Sequence, residues 1–256
     1  MDETSQERMV ERIIRRLMDE WASGELRLRE NRILFQSRED VELLNAITGG
    51  GFLWDVQIVF WDDLMLRLAK LTDPVKGGRG REKKNLTVQL LPAYCCDDSL
   101  RDEMQRLVNE AVEATEFARE WRNKRIGHTD LKRALSPNPE PLADSSREKA
   151  QAALNAIFAV VKAANASMRG VDLSRRVVSY PRAAAFITRV RQTSEALRYI
   201  DSLIDPDGNL PITDHEAASR FLGKVGREVT PKEVRQVVEL REAARRFVVP
   251  ADEVNR

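Results

Sequence analysis

Hydrophobic residues recur at helical spacing along most of the 256-residue chain. In the first segment they lie three or four positions apart and form one apolar stripe, made up of Val10, Ile13, Ile14, Leu17 and Trp21. Residues 52–73 are apolar on most faces, which predicts a central, largely buried helix that ends before Pro74. No stretch alternates apolar and polar residues as a half-buried strand would. The pattern therefore predicts an all-α fold.

Turn and capping residues divide this helical pattern. The glycine triplet at 49–51 predicts a helix break, and a long helix with an acidic exposed face is predicted from Ser99 to about Trp121. Ser145 and Glu148 form a capping box, which predicts another helix start. Gly170 marks a domain boundary. We therefore expect a helical-bundle domain over residues 1–170 and a helical extension of unknown role over residues 171–256.

Composition narrows the function classes. The chain carries 42 Lys and Arg against 41 Asp and Glu, and a net charge of +1 argues against a bulk electrostatic binder of nucleic acids. The two cysteines are adjacent and no zinc-ligand spacing occurs, so no metal or other cofactor is expected. No signal peptide and no apolar run of about 18 residues is found. These features predict a soluble, cytoplasmic protein without membrane contact.

One of the two histidines lies in a basic segment that suits chemistry on a phosphate. His128 follows Arg122 by six positions, and Gly127 permits a bend that lets both side chains face one cleft. Histidine transfers protons near neutral pH, arginine offers paired donors to phosphate oxygens, and Asn123 adds a neutral donor. These residues favour cleavage of an RNA backbone. The alternative is a solvated helix end, where positive charge suits the helix dipole.

The surrounding residues carry a family resemblance. Arg122 and Asn123 followed by His128 resemble the signature of the HEPN superfamily, in which an arginine precedes a histidine by a short gap. The longer stretch EFAREWRNKRIGHTDLKRAL, residues 116–135, looks like the abortive-infection AbiU-like branch. The resemblance covers about residues 5–170. One departure is Gly127, where alanine is more familiar before the histidine.

This resemblance implies a fold, an activity and partners. HEPN domains are helical bundles, and many are metal-independent endoribonucleases in phage defence or toxin–antitoxin pairs. It implies that Arg122 binds the scissile phosphate, that Asn123 supports it, and that His128 is the general acid or base. A possible accessory residue is one of Asp73, Glu120 and Asp130. The implied partners are an RNA substrate, a second copy in a homodimer, and an antitoxin or other restraining protein.

Other basic residues are candidates for weak, non-specific contacts with RNA phosphates. Most lie in a loop at residues 75–84, which could equally be a solvated linker. The set comprises Lys76, Arg79, Arg81, Lys83, Lys84, Lys124 and Arg125.

Two other functions are consistent with the sequence. One is a catalytically inactive HEPN module that binds RNA, a nucleotide or a protein partner. The other is a DNA-binding protein, because capping boxes predict helices at about 213–224 and 231–246. The segment between those helices is longer than the usual turn of a helix-turn-helix motif, which weighs against DNA binding.

Overall fold

The computed structural model describes residues 3–48, 50–76, 84–127, 134–138, 140–175 and 182–202. A 3₁₀ helix spans Val88–Tyr94, and a π-helical turn spans Arg122–Ile126. The described residues contain one isolated bridge, between Lys76 and Lys84, and no strand. The all-α prediction is confirmed. The α-helices are α1 (Glu3–Phe35), α2 (Arg38–Thr48), α3 (Gly50–Leu71), α4 (Asp98–Ala114), α5 (Glu116–Trp121), α6 (Arg147–Arg169) and α7 (Arg182–Ser202).

The hydrophobic core lies between α1, α3, α4 and α6. The apolar stripe predicted on the first helix faces this core. At its centre, the Trp21 ring lies 4.5 Å from the Phe158 ring, and Trp21 Nε1 donates a hydrogen bond to Leu154 O at 2.9 Å. Each large apolar side chain buried here contributes about 1.5–3 kcal/mol. Fully buried members include Ile14, Leu17, Leu28, Leu64, Met65, Leu68, Met104, Leu154 and Ile157.

Helix α1 continues through Gly24 over 33 residues. A Cβ atom at Gly24 would lie 3.1 Å from Leu154 Cδ2, so the glycine allows α1 and α6 to approach closely. Leu28 and Leu34 extend the buried face beyond the glycine. Residues 25–35 therefore belong to the first helix, which continues past the glycine without a break.

Helix α3 differs from the expectation of a largely buried helix. Its second half is buried in the core, but Phe52, Trp54 and Val59 in the first half are 59%, 64% and 64% exposed. Phe60 packs against a small second cluster that includes Leu34 and Ile187. An apolar sequence indicates that a helix has faces to bury, but it does not show which faces meet a neighbour.

The helix predicted from Ser99 to Trp121 is two helices. Asp97 caps α4 by accepting a hydrogen bond from Leu100 N at 2.7 Å. Helix α4 ends before the buried Thr115, and α5 begins after it. The Thr115 hydroxyl lies 2.6 Å from the hydroxyl of Thr72 at the end of α3. The break thus places a polar contact between two helices.

The capping residues of α6 also differ slightly from the prediction. Ser146, and not Ser145, is the N-cap, and its hydroxyl accepts a hydrogen bond from Lys149 N at 3.2 Å. The Ser145 hydroxyl accepts instead from Trp61 Nε1 at 3.3 Å. At the other end, Gly170 has a φ of 65°, a left-handed conformation that suits glycine and ends α6.

The chain divides into two compact units, Met1–Ile187 and Thr188–Arg256. The division that we predict at residue 170 stays a prediction. The helices predicted at 213–224 and 231–246 lie outside the described residues. Among the helices that the structure describes, none has the length and apolar character to cross a membrane.

Candidate active site

The arginine of the predicted motif opens a widened helical turn. Gly127 N donates to Arg122 O at 2.7 Å, a hydrogen bond across five residues that defines the π-helical turn. Gly127 has right-handed helical angles, φ −75° and ψ −35°, so no unusual backbone conformation requires glycine there. A Cβ atom would, however, lie 3.1 Å from Arg122 O. Gly127 therefore allows a close approach, and the expected bend takes the form of a π turn.

Two side chains orient the Arg122 guanidinium. Arg122 Nη1 pairs with Asp73 Oδ2, and Arg122 Nε donates to Asn123 Oδ1 at 3.0 Å. The Arg122 and Asp73 side chains are only 24% and 16% exposed. Arg122 Nη2 makes no hydrogen bond within the described part of the chain. The guanidinium is thus held on two of its nitrogens, which leaves the third as a donor for a ligand oxygen.

Asp73 is positioned by a polar network at the end of α3. The buried Thr72 precedes it, and Thr72 O accepts hydrogen bonds from Arg119 Nη1 at 3.1 Å and Gln89 Nε2 at 2.8 Å. Arg119 Nη1 also donates to Thr72 Oγ1 at 3.0 Å. Thr87 Oγ1 donates to Leu71 O at 3.0 Å. Three side chains therefore satisfy the last carbonyls of α3 and fix the residue that holds Arg122.

Asp73 lies between two cationic side chains. Burial lowers the pKa of the Arg119 guanidinium, and the charge of Arg122 lowers it further, while the charge of Asp73 opposes both effects. One Asp73 oxygen, Oδ1, is buried without a hydrogen-bond partner in the described residues. Asp73 thus offsets the repulsion between Arg119 and Arg122.

Glu120, the acidic candidate on α5, binds residues other than Arg122. Glu120 Oε1 accepts a hydrogen bond from Ala143 N at 3.2 Å and pairs with Lys124 Nζ at 3.0 Å. These contacts attach the segment before α6 to α5. Of the described acidic candidates, the structure brings Asp73 to Arg122 and does not bring Glu120 to it.

Arg125, in the π-helical turn, lies on a different face of the helix from Arg122. The Arg125 guanidinium lies 5.1 Å from the centroid of the Trp121 ring, and its Nε is 3.8 Å from Asp62 Oδ1. Trp121 Nε1 donates to Ala143 O at 2.8 Å. Arg125 therefore faces α3 and the segment that contacts Trp121.

A family comparison identifies the relatives of this chain. The AbiU2 model of HEPN proteins matches residues 7–183, which is most of the chain and includes every residue of the Arg122 site. The chain belongs to the AbiU2 family of HEPN proteins. Comparison with curated proteins and with solved structures finds no match.

Part of the predicted AbiU2 site lies outside the described residues. These positions are His128, Asp130, Arg79, Arg81 and Lys83. Lys76 and Lys84 are described, are exposed, and form the bridge at the base of the loop. Asn85 N donates to Val75 O at 2.8 Å and closes the same base. These paired residues follow Asp73 closely in the chain, at the end of α3 that carries the Arg122 site.

Sequence reasoning missed the residues that hold the AbiU2 site together. Arg119, Thr72 and Thr115 were not singled out, although Arg119 stands three positions before Arg122. The available signal was two threonines at the ends of apolar helical segments, where a hydroxyl can bind a free carbonyl. Among the described residues, no group of three His, Cys, Asp or Glu side chains could hold a metal ion.

Proposed function

We propose that this AbiU2 protein is a metal-independent endoribonuclease of the HEPN type. The observation that carries the proposal is the preorganised Arg122. Asp73 and Asn123 bind two of its nitrogens, and Nη2 makes no hydrogen bond with the described residues. A guanidinium fixed in this way stabilises the charge that develops on a phosphate without reorganising during the reaction.

The proposed reaction assigns one role to each motif residue. Arg122 binds the non-bridging oxygens of the scissile phosphate, and Asn123 orients Arg122. The ribose 2′-hydroxyl attacks phosphorus and loses its proton, while the bond from phosphorus to the 5′ oxygen breaks and that oxygen gains a proton. His128 takes the first proton or supplies the second. The products are a 2′,3′-cyclic phosphate and a 5′-hydroxyl.

Asp73 is the proposed positioning residue among the three acidic candidates. It contacts Arg122 directly, whereas Glu120 binds Lys124 and the backbone of Ala143. The basic residues between Lys76 and Lys84, a pair that is bridged a few positions after Asp73, are proposed to supply non-specific phosphate contacts.

We further propose a homodimer that acts in phage defence by abortive infection or as a toxin restrained by another protein. Support comes from AbiU2 membership and from the exposed apolar side chains of α3 and α2. Exposed apolar groups of this kind mark interaction surfaces. The proposal predicts a dimer in sedimentation equilibrium.

The test is cleavage of labelled RNA by the purified full-length protein in excess EDTA. The variants are Arg122→Ala, His128→Ala and a matched control, Arg38→Ala, which removes an arginine that is 92% exposed on α2. We expect the parent and Arg38→Ala to cleave RNA to 2′,3′-cyclic phosphate ends. Arg122→Ala and His128→Ala are expected to lose activity while keeping the parent's helical content and oligomeric state.

Other results would contradict the proposal in distinguishable ways. Equal cleavage by all four proteins would place the activity at another site or in a contaminant. Cleavage that EDTA abolishes would contradict a metal-independent reaction. Absence of cleavage by the parent over varied RNAs would favour the inactive HEPN module that binds its partner without cutting it.

A further inference from the structure

A groove beside α1 shares no described residue with the Arg122 site. It has a volume of about 690 Å³, and its walls come from the first half of α1 and from Leu86. Leu86 directly precedes Thr87, the residue that caps the 3₁₀ helix. We refer to this feature as the α1 groove, and its charge and shape indicate a ligand different from that of Arg122.

Arginine side chains give the α1 groove its charge. Arg12, Arg15 and Arg16 line it, against a single acid, Asp19. Arg15 Nη2 lies 3.4 Å from Glu11 Oε1. Arg12 and Arg16 are exposed and make no hydrogen bond or ion pair within the described part of the chain. Two guanidinium groups are therefore available to an anion.

The spacing of these two arginines suits a row of carboxylates. Arg12 and Arg16 lie four positions apart on α1, and such residues are neighbours on the same face of a helix, with Cβ atoms about 5–6 Å apart. Acidic residues four positions apart on a partner helix have the same spacing. Each guanidinium can bind a carboxylate through two parallel N–H···O hydrogen bonds. The α1 groove thus matches acidic residues that recur at helical spacing.

Aliphatic side chains complete the lining of the α1 groove. Met9 and Ile13 are half-buried, and Leu86 is 40% exposed. Among the described residues, no aromatic side chain lines the groove, so a nucleobase finds no ring on which to stack. The carboxylate of Asp19 also repels a phosphate backbone. These features favour a peptide with acidic and aliphatic side chains over RNA.

We propose that the α1 groove docks an acidic amphipathic helix of a partner protein. Carboxylates of that helix pair with Arg12 and Arg16, and its aliphatic side chains cover Met9, Ile13 and Leu86. Complementary charge steers such a partner to the groove and fixes its register. The inference goes beyond RNA cleavage, because no described residue of the Arg122 site lines the groove. Failure of the ribonuclease proposal would leave it standing, and the reverse also holds.

The test measures binding to the full-length protein by fluorescence anisotropy. The probe is a labelled helical peptide of leucine and glutamate, with its leucines three and four positions apart. In two counterpart peptides, every glutamate is replaced by glutamine or by lysine. We expect the glutamate peptide to bind at least about tenfold more tightly than either counterpart, and to bind more weakly as the salt concentration rises.

Arginine variants with a matched control locate the charged part of the groove. The double variant Arg12→Ala, Arg16→Ala should bind the glutamate peptide about tenfold more weakly, because two exposed ion pairs are lost. The control is Arg29→Ala, Arg38→Ala, which removes two exposed arginines outside the groove and changes the net charge equally. It should bind as the parent does. Both double variants should melt at the parent's temperature, because arginine and alanine have similar helix propensities.

A leucine variant tests the aliphatic part of the groove. Leu86→Ala should weaken binding of the glutamate peptide about fivefold, because less apolar surface is covered. The control is Leu135→Ala, which truncates a leucine that is 74% exposed outside the groove. We expect this control to keep the parent's affinity.

Four results would overturn the inference. The first is an absence of binding to the glutamate peptide at millimolar concentration, and the second is equal affinity for all three peptides. The third is an equal loss of binding in both arginine double variants. The fourth is a labelled 2′-O-methyl RNA that binds more tightly than the peptide and loses its affinity only in Arg12→Ala, Arg16→Ala. That result would assign the groove to nucleic acid.

Discussion

The pair of Asp73 and Arg122 should behave as a coupled unit in a double-mutant cycle. The perturbations are Asp73→Asn, Arg122→Gln and the double variant. Asp73→Asn keeps the size of the side chain but removes the negative charge that lies between Arg119 and Arg122. Its amide group can also present a donor to a guanidinium that has only donors. Each single variant therefore leaves a partly buried charge without its partner.

The exposure of the Asp73 and Arg122 side chains sets the expected loss in free energy of unfolding. At 24% and 16% exposed, the pair lies between a surface ion pair and a fully buried one. Surface pairs contribute about 0.2–1 kcal/mol, and breaking a buried pair costs about 3–5 kcal/mol. We expect each single variant to lose about 2 kcal/mol, and the pair to show a coupling energy of about 1–2 kcal/mol. At this chain length the loss corresponds to a fall in Tm of about 4–8 °C.

The assay is denaturant unfolding followed by circular dichroism, with Glu42→Gln as the control. Glu42 pairs with Arg38 at 2.7 Å, but the two side chains are 62% and 92% exposed. We expect the control to lose no more than about 0.5 kcal/mol. The reasoning would be refuted if Asp73→Asn cost no more than Glu42→Gln, or if the two single effects at 73 and 122 simply added in the double variant.

Four further variants test the surrounding geometry. Thr72→Val should lower the free energy of unfolding by about 1–3 kcal/mol, because Arg119 Nη1 loses a buried acceptor; a loss below about 0.5 kcal/mol in denaturant titration would contradict the network. Gly51→Ala should gain about 0.5–1 kcal/mol of helix propensity, because its added Cβ atom meets open space. Gly127→Ala should show no such gain, because its added Cβ atom would lie too close to Arg122 O. Equal Tm shifts in the two variants would count against this close approach. Asp62→Asn should raise the Tm at pH 7, because burial raises the pKa of the folded carboxyl and so disfavours its charged form. This gain should disappear as the pH falls through the folded pKa, so a gain that grows in acid would refute the assignment.

Residues 115–128 show which features the sequence predicts and which it does not. The residue types at 122, 123 and 128, together with the surrounding stretch, were enough to suggest the family that the comparison then identified. The same stretch did not reveal the break at Thr115 or the π-helical turn at 122–126. The break depends on a partner from another element, the Thr72 hydroxyl, and the π-helical turn depends on the hydrogen bond from Gly127 N to Arg122 O. Local periodicity carries no information about such partners.

The accessory acid shows the same limit. Asp73, Glu120 and Asp130 were equivalent by spacing. The packing of α3 against α5 brings Asp73 to Arg122 across 49 positions of sequence, while Glu120 binds the segment before α6. A cavity that is lined by Asp62, Trp54, Trp61 and Trp121 has the same origin, because these residues come from α3 and from the end of α5. Helical spacing alone does not bring position 121 next to positions 54 and 61.

The amino-acid sequence by itself determined the helical class, the stripe that α1 buries, the approximate bounds of α3 and α6, and the residues suited to phosphate chemistry. These properties follow from the periodicity of side chains and from the chemistry of single residues, which neighbours in the chain express directly. Only the tertiary structure decided which half of α3 is exposed, which acid orients Arg122, and which tryptophans share a cavity with Asp62. Those outcomes arise from contacts between residues distant in sequence, where burial and the choice of partner set the energy of each side chain.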